Sequence, residues 1–240
     1  MLFLAAACPA VQSVPSAPLP SSESLQYKIE WRLITAGKAQ LNWNAGDGGF
    51  HANLLLETTG LVSKLFKVND EYAFSVDRSL CAHSTFLKTR EGTRQRETRV
   101  TFDPERKKAS YLERDTAKNA VLDTRETDIP PCVSDVIGAL YKMRSLNLEP
   151  GQTTQIAVSD GKKSAMARID ALQRESVKTP AGTYKTVRYE AFLFNDVIYR
   201  RSGRLYIWLT DDRRRLPVQV QVRLHLAIGT ITLQLEKEGN

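Results

Sequence analysis

The stretch Val218-Gln-Val-Gln-Val-Arg-Leu-His-Leu-Ala-Ile-Gly229 alternates between large apolar residues and residues that are polar or small. The large apolar positions are Val218, Val220, Val222, Leu224, Leu226 and Ile228. Successive side chains of a β-strand point to opposite faces of a sheet, so this period of two predicts a strand with one buried face. At Gly229 the alternation changes phase, which indicates a bulge or bend within one long strand. The stretch therefore predicts an antiparallel sheet with one face in the core.

Similar alternating runs recur along the chain, separated by hairpin signals such as Gly46-Asp-Gly-Gly49. Their number predicts about a dozen strands, including a short one at 197–199. One segment has helical spacing instead, and Ser134 is expected to cap it. Its apolar residues are Val136, Ile137, Leu140, Tyr141 and Met143. The pattern predicts a mainly β fold: a single curved antiparallel sheet, or a partly open barrel or sandwich, with one central α-helix.

Composition is that of an ordinary folded domain with a moderate excess of basic residues. The 240 residues are 42% hydrophobic and 25% charged, with a net charge of +7. These values fit one β-rich domain and exclude a disordered chain. The basic residues are spread over the strands, without a stripe interleaved with aromatic residues, so no nucleic-acid partner is predicted. Weak attraction to anionic membrane surfaces stays open.

The first residues indicate export. Met1-Leu-Phe-Leu-Ala-Ala-Ala-Cys8 is apolar and places small residues before a cysteine, as at the end of a bacterial lipoprotein signal. Residues 1–8 are therefore predicted to be a signal segment, and Cys8 a lipidation site that attaches the protein to a membrane. The alternative is an ordinary signal remnant in which Cys8 is incidental. The expected location is the periplasm or the outer membrane of a bacterium.

Residues 9–24 are rich in proline and serine and carry one charge. Such a segment buries little apolar surface, so it is predicted to be a flexible linker. Residues 25–240 are predicted to form a single β domain.

The cysteines and histidines indicate which disulfide and metal sites the chain could form. With Cys8 lipidated, Cys81 and Cys132 are left as an even pair in an oxidising compartment, which favours a disulfide. The alternative is two buried free thiols. The three histidines are far apart, and no spacing matches a metal site, so neither a metal nor a cofactor is expected. No catalytic motif is found, and Asp211-Asp212 is interpreted as a solvated turn.

The connector Leu61-Val-Ser-Lys-Leu-Phe66 is unusually apolar for a loop. Leu61, Val62, Leu65 and Phe66 could line the mouth of an apolar site, next to an inner sheet face that carries Tyr27, Ile29, Trp31, Leu41 and Trp43. The competing interpretation is a helical turn that plugs the end of the sheet as core, and the sequence favours this plug.

Several blocks together resemble the bacterial DUF3108 family of exported proteins of unknown function. They include Tyr27-x-Ile-x-Trp31 with Ala36-Gly37, Gly60-Leu-Val-Ser-Lys-Leu-Phe66, and Asp135-Val-Ile-Gly-Ala-Leu-Tyr141-x-x-Arg144. Thr179-Pro-Ala-Gly182 and Ile207-Trp-Leu-Thr-Asp-Asp212 resemble later blocks. The resemblance implies a curved antiparallel sheet that wraps a helix, and it supplies no catalytic residue.

Three functions remain open on this basis. The first is a non-enzymatic envelope protein that binds a lipid or another amphiphile in the concave face of its sheet. The second is a structural module that docks another envelope protein. The third, a hydrolase without a recognisable motif, has the least support. An apolar cavity would favour the first function, and a packed interior the second.

Overall fold

The computed structural model describes residues 18–32, 34–224 and 229–239. In this part of the chain, two helices accompany the strands: α1 (Gly60–Leu65) and α2 (Val136–Ser145). The strands are β1 (Ser22–Trp31), β2 (Ile34–Gly46), β3 (Gly49–Thr58), β4 (Asn69–Asp77), β5 (Ala82–Glu91), β6 (Arg94–Asp103), β7 (Lys108–Asp115), β8 (Ala120–Asp128), β9 (Thr153–Ser159), β10 (Ser164–Thr179), β11 (Gly182–Ala191), β12 (Gly203–Thr210), β13 (Pro217–Leu224) and β14 (Gly229–Gly239).

All these strands belong to one antiparallel sheet, which confirms the predicted fold class. Its order is β8-β7-β6-β5-β4-β3-β2-β1-β14-β13-β12-β11-β10-β9. The chain thus forms two meanders, and the pairing of β1 with β14 joins them. The strands β8 and β9 are the two edges, so the sheet is not closed by hydrogen bonds.

The two edges nevertheless approach each other. Ser134, just before α2, forms an isolated parallel bridge with Val158 of β9. The Lys162 ammonium, after β9, lies 3.1 Å from Glu113 of β7 and 3.3 Å from Asp123 of β8. The sheet is therefore curled into an incomplete barrel, with side-chain and bridge contacts across the gap.

Alternation of buried and exposed residues explains why the inner face of this barrel is apolar. In β1, Leu25, Tyr27 and Ile29 are buried, and the residues between them are only partly so. The first strand starts at Ser22, so the folded part includes the end of the predicted linker 9–24. Glu23 of that segment is buried.

One sequence interpretation is wrong at Gly229. Residues 217–224 and 229–239 belong to different strands, because β13 pairs antiparallel with β14 and Leu224 faces Gly229 across the pair. The phase change therefore marks the reversal of a hairpin and not a bulge in one long strand. The predicted strand at 197–199 is also wrong, since these residues lie in the irregular connection between β11 and β12.

Helix α2 lies inside the curl of the sheet. Its N-cap is Asp135 and not Ser134 as predicted, and the Asp135 side chain accepts hydrogen bonds from the amides of Ile137 and Gly138. Tyr141 stacks on Trp43 of β2 with ring centroids 3.7 Å apart. In the described part of the chain, no helix has the length and apolarity needed to cross a membrane.

Because neighbouring strands run in opposite directions, their connections lie alternately at two rims. We call the described connections at 32, 59–68, 92–93, 116–119, 160–163 and 192–202 the upper rim. The connections at 47–48, 78–81, 104–107, 129–135, 146–152, 180–181 and 211–216 form the lower rim. Helix α1 belongs to the upper rim, and the chain enters and leaves α2 from the lower rim.

Several predictions concern residues outside the described parts of the chain. They are the signal segment 1–8 with Cys8, most of the linker 9–24, and residues 225–228 of the opening sequence stretch.

Candidate functional site

An apolar cavity of about 370 Å³ lies between α2 and the sheet. Helix α2 contributes Val136, Ile137 and Leu140, which are on one helix face. The remaining lining is aliphatic or aromatic and comes from both meanders and from the 192–202 connection: Tyr27, Leu41, Leu54, Leu193, Phe194, Tyr199, Leu205, Ile207, Val220, Val222 and Leu233. Tyr27, the lining residue from β1, donates its hydroxyl to the carbonyl of Pro217 at 2.7 Å. The site can bury apolar surface and offers little for polar recognition.

A second cavity of about 440 Å³ adjoins the first and is more polar. Both are lined by Leu54, Val136, Ile137 and Tyr199, so the two cavities are neighbours in the interior of the curled sheet. The second also contacts the charged residues Asp70, Asp160 and Lys162, which lie in or near the upper rim. The interior therefore grades from apolar walls near α2 to charged groups at the upper rim.

Lys162 organises the charged end of this interior. Its ammonium contacts Glu113 and Asp123 and lies 4.5 Å from the centroid of the Tyr111 ring. Burial lowers the pKa of Lys162, but hydrogen bonds to Tyr111 and Glu113 outweigh this effect and hold the pKa above its usual value. Arg96 contacts the same Glu113 carboxylate at 2.6 Å. Lys162 is thus paired with carboxylates across the gap between the sheet edges.

Asp135 is buried beside this interior, where it fixes the start of α2. Its Oδ1 accepts hydrogen bonds from the Ile137 amide at 2.9 Å and from the Tyr72 hydroxyl at 3.1 Å. Burial raises the pKa of the Asp135 carboxyl to about 6, while these hydrogen bonds oppose the rise. The contacts are those of a helix cap, and they explain the position of Asp135 without a catalytic role.

The outer face of the sheet carries a larger but different depression, of about 540 Å³. Its lining includes His51, Asn53, Ser75, Ser84 and Arg99. On β3 and β4 these outward residues alternate with the buried Ala52 and Phe74. It is an open groove of mixed polarity on the solvent side of the sheet, so the more enclosed inner cavity is the better candidate for a specific site.

The structure separates the two tryptophans predicted to line a ligand site. Trp43 is fully buried. Its ring lies between Tyr141 and Phe50, with centroids 3.7 Å and 4.6 Å away. It is a core residue and is not among those that line the inner cavity. Trp31 is half-buried at the end of β1, where the Arg32 guanidinium lies 5.3 Å from its ring centroid.

The apolar connector 61–66 is the short helix α1 and its first flanking residue. Leu61, Leu65 and Phe66 are 66%, 75% and 54% exposed. The preferred interpretation of this connector as a core plug is therefore wrong for these three residues. Val62 alone packs partly against the core. Helix α1 leaves most of its apolar side chains facing solvent at the upper rim.

Most of the cavity lining was not identified from the sequence as a site. The α2 residues Val136, Ile137 and Leu140 were named only as part of the apolar stripe of a helix, because helical spacing indicates an apolar face without showing whether that face is fully packed. Leu193, Phe194 and Tyr199 lie in an irregular connection, where periodicity gives no signal. Tyr27 and Leu41 were correctly expected on the inner face.

Cys81 and Cys132 form a disulfide in the structure, with 4.9 Å between their Cα atoms. Cys81 ends the lower-rim connection after β4, and Cys132 lies in the segment that leads to α2. The bond therefore ties the start of the central helix to the first meander.

The chain matches a known protein family. The DUF3108 family, described as "protein of unknown function", matches residues 26–236. The chain belongs to this family. The match extends from within β1 to within β14 and includes the cavity lining and the upper rim. No curated protein matches the sequence.

One solved structure supports the fold, and none of those compared gives a function. A β-barrel-like DUF1849 protein from Brucella abortus aligns with a TM-score of 0.58 at 11% identity, over 92% of this chain and 98% of that one. A protein from Bacteroides fragilis, described as a candidate exported protein, gives 0.40 at 10% identity over 95% and 100% of the two chains. A candidate lipoprotein from Parabacteroides distasonis gives 0.38 at 11% identity over 95% and 100%. The DUF1849 likeness identifies a β-barrel-like fold for this DUF3108 member.

Proposed function

We propose that this DUF3108 protein is a non-enzymatic, exported envelope protein that binds the apolar chain of a lipid or another amphiphile. The apolar cavity between α2 and the sheet is the observation that carries the proposal. Its volume, about 370 Å³, falls within the range of small-molecule sites. The cavity also distinguishes this function from a module with a packed interior.

The gradient within the interior supports an amphiphile in particular. An acyl-like chain would lie against the α2 side chains and gain about 0.8 kcal/mol for each methylene removed from water. Its polar end would lie toward Asp70, Asp160 and Lys162 near the upper rim. Neither described cavity lining contains serine, cysteine or histidine, so no nucleophile of these types faces the chain.

The proposal predicts that filling the cavity blocks binding. Val220 lines the apolar cavity, and Val220→Phe places an aromatic ring in the volume of that cavity. We expect this variant to bind a fluorescent fatty-acid probe at least about tenfold more weakly with little change in melting temperature, because the added volume meets a void. Probe titration and a thermal melt measure the two effects.

A matched control is available on β8. Val121 is 53% exposed, so Val121→Phe adds the same ring outside the cavity and should leave probe binding unchanged. Equal probe affinity of folded Val220→Phe and the unaltered protein would show that the cavity is not the binding site. Independently of these variants, native mass spectrometry of protein purified from its own envelope would identify the class of the natural ligand.

Export and attachment through Cys8 form a separate part of the proposal. Their support is the apolar segment 1–8 and the Pro/Ser-rich stretch that follows it. We expect Cys8→Ser to move the protein from the membrane fraction to the soluble periplasmic fraction, because a thioether-linked lipid would be lost. Fractionation followed by immunoblotting measures this shift. Unchanged membrane association would exclude Cys8 as the anchor.

A further inference from the structure

We propose that the upper rim docks on an anionic lipid bilayer, with the exposed side chains of α1 at the membrane interface. This inference concerns the outer surface of the rim and does not depend on a ligand in the cavity. It rests on the coincidence of two independent distributions at one end of the barrel, that of exposed apolar residues and that of charge.

The first distribution is that of exposed large apolar side chains. Among the described residues there are nine of them. Eight lie within three positions of an upper-rim connection: Ile34, Leu61, Leu65, Phe66, Val121, Leu122, Met166 and Tyr199. In the described chain, none lies in the lower rim. An apolar surface gathered at one end of a barrel marks an interaction site, because isolated exposed residues would be scattered.

The second distribution is that of charge in the connections. The described upper-rim connections contain eight basic residues and only two acidic ones, Asp160 and Asp196. The basic residues are Arg32, Lys64, Lys67, Lys118, Lys162, Lys163, Arg200 and Arg201. The lower-rim connections contain six basic and six acidic residues. The excess positive charge of the connections is therefore confined to the end that also exposes apolar side chains.

Helix α1 combines both features within a few residues. Leu61, Leu65 and Phe66 are exposed, and Lys64 and Lys67 are exposed beside them. The connection 59–68 contains no acidic residue. Apolar side chains that enter the acyl boundary while lysines contact lipid phosphates are the usual means by which a surface segment binds an anionic bilayer. Each basic side chain near such a surface strengthens binding by about fivefold.

The charge favours this partner over a second copy of the chain. Two identical upper rims would bring like charges together, which opposes a face-to-face dimer. An anionic bilayer satisfies both the positive charge and the apolar side chains. In this orientation, the charged end of the interior would face the lipid headgroups.

The test is vesicle sedimentation of the full chain carrying Cys8→Ser, so that no lipid anchor contributes. We expect binding to vesicles of mixed phosphatidylglycerol and phosphatidylcholine, weaker binding at high salt, and little binding to phosphatidylcholine alone. Lys64→Glu/Lys67→Glu and Leu65→Ser/Phe66→Ser should each weaken binding by at least about tenfold. Their melting temperatures should change little, because all four side chains are exposed.

The charge control is Arg78→Glu/Arg213→Glu at the lower rim. It changes the net charge by the same amount at two exposed positions and should leave binding within about twofold of the unaltered protein. An environment-sensitive fluorophore on Leu65→Cys should shift to the blue with anionic vesicles, and one on Ala181→Cys at the lower rim should not. This second readout does not require any loss of binding.

Any of four results would overturn the proposal. One is the absence of sedimentation with anionic vesicles at low salt. A second is equal binding by the α1 variants and the lower-rim control. A third is an unshifted fluorophore at position 65. The last is a dimer that dissociates in Leu65→Ser/Phe66→Ser without any vesicle binding, which would assign the rim to self-association. A failure of Val220→Phe to affect the fatty-acid probe would leave all these measurements unaffected.

Discussion

Arg144→Met is expected to lower the free energy of unfolding by about 3–5 kcal/mol, because it leaves a buried carboxylate without its partner. Arg144 is 1% exposed. Its guanidinium forms a two-point ion pair with Glu23 of β1, in which Nη1 contacts Oε1 and Nη2 lies 3.1 Å from Oε2. Its Nε also donates to the carbonyl of Arg215 at 3.0 Å. One side chain thus connects α2, β1 and the lower-rim connection 211–216.

The position of Glu23 makes this loss large. Glu23 is 8% exposed and also accepts a hydrogen bond from the Tyr141 hydroxyl at 2.9 Å. Removal of one partner from a buried pair costs more than the pair contributes, since the remaining charge stays desolvated. Urea denaturation followed by circular dichroism measures the change. The double variant Glu23→Leu/Arg144→Met should recover most of the loss, because it leaves no unpaired charge in the core.

Lys142→Met provides a control on the same helix. Lys142 is half-buried on α2, so its loss should cost no more than about 1 kcal/mol. If Arg144→Met also lowered the free energy of unfolding by less than about 1 kcal/mol, the ion pair would stabilise the protein no more than a surface pair does, and it would not hold α2 in place. The same result would follow if water entered the site in solution.

The ion pair also shows where sequence reasoning ended. Glu23 is the one charge in residues 9–24, which the composition assigned to a linker, and Arg144 is 121 positions away. Composition reports how much apolar surface a segment can bury, and it does not report that a single carboxylate has a partner in the core. The strand that carries Glu23 begins three residues earlier than the predicted domain for this reason.

The fold class itself was predictable because a period of two is a local property of the chain. Leu25, Tyr27 and Ile29 are buried as the alternation requires. Which strands pair with each other was harder to predict from the sequence. Residues 218–224 and 231–235 have the same alternation whether they form one strand with a bulge or two strands of a hairpin, and only the pairing of β13 with β14 distinguishes these cases.

The candidate site was predictable only in part for a related reason. Periodicity shows that a residue faces the interior, but packing decides whether it meets another side chain or a void. Trp43 and Leu41 are on the same face of β2, yet Trp43 stacks on Tyr141 and Leu41 lines the cavity. The exposed residues of α1 were misjudged because apolar side chains are more often buried than displayed.

Loss of the disulfide is the second large effect that we expect. Cys81→Ala/Cys132→Ala should lower the free energy of unfolding by about 4 kcal/mol in the chain-entropy treatment, because the bond restricts the unfolded chain. The bond closes a loop with a sequence separation of 51 residues. Two hydrogen bonds hold the cysteine segments beside each other in the fold: the Ala82 amide donates to the carbonyl of Val133, and the Ser134 hydroxyl donates to the carbonyl of Leu80.

The location of the bond adds a structural consequence. Cys132 lies before α2, and Ser134, two residues later, forms the bridge to Val158 at the sheet edge. In the variant, the native state keeps these contacts, so its circular dichroism spectrum should match that of the unaltered protein in the absence of denaturant. The urea midpoint should fall, and the unaltered protein under reducing conditions should show the same fall.

Thiol labelling of denatured, unreduced protein from the envelope should modify neither cysteine. Labelling of both Cys81 and Cys132 would show that they are reduced in the cell, and a double variant as stable as the unaltered protein would show that the loop is restrained by other contacts.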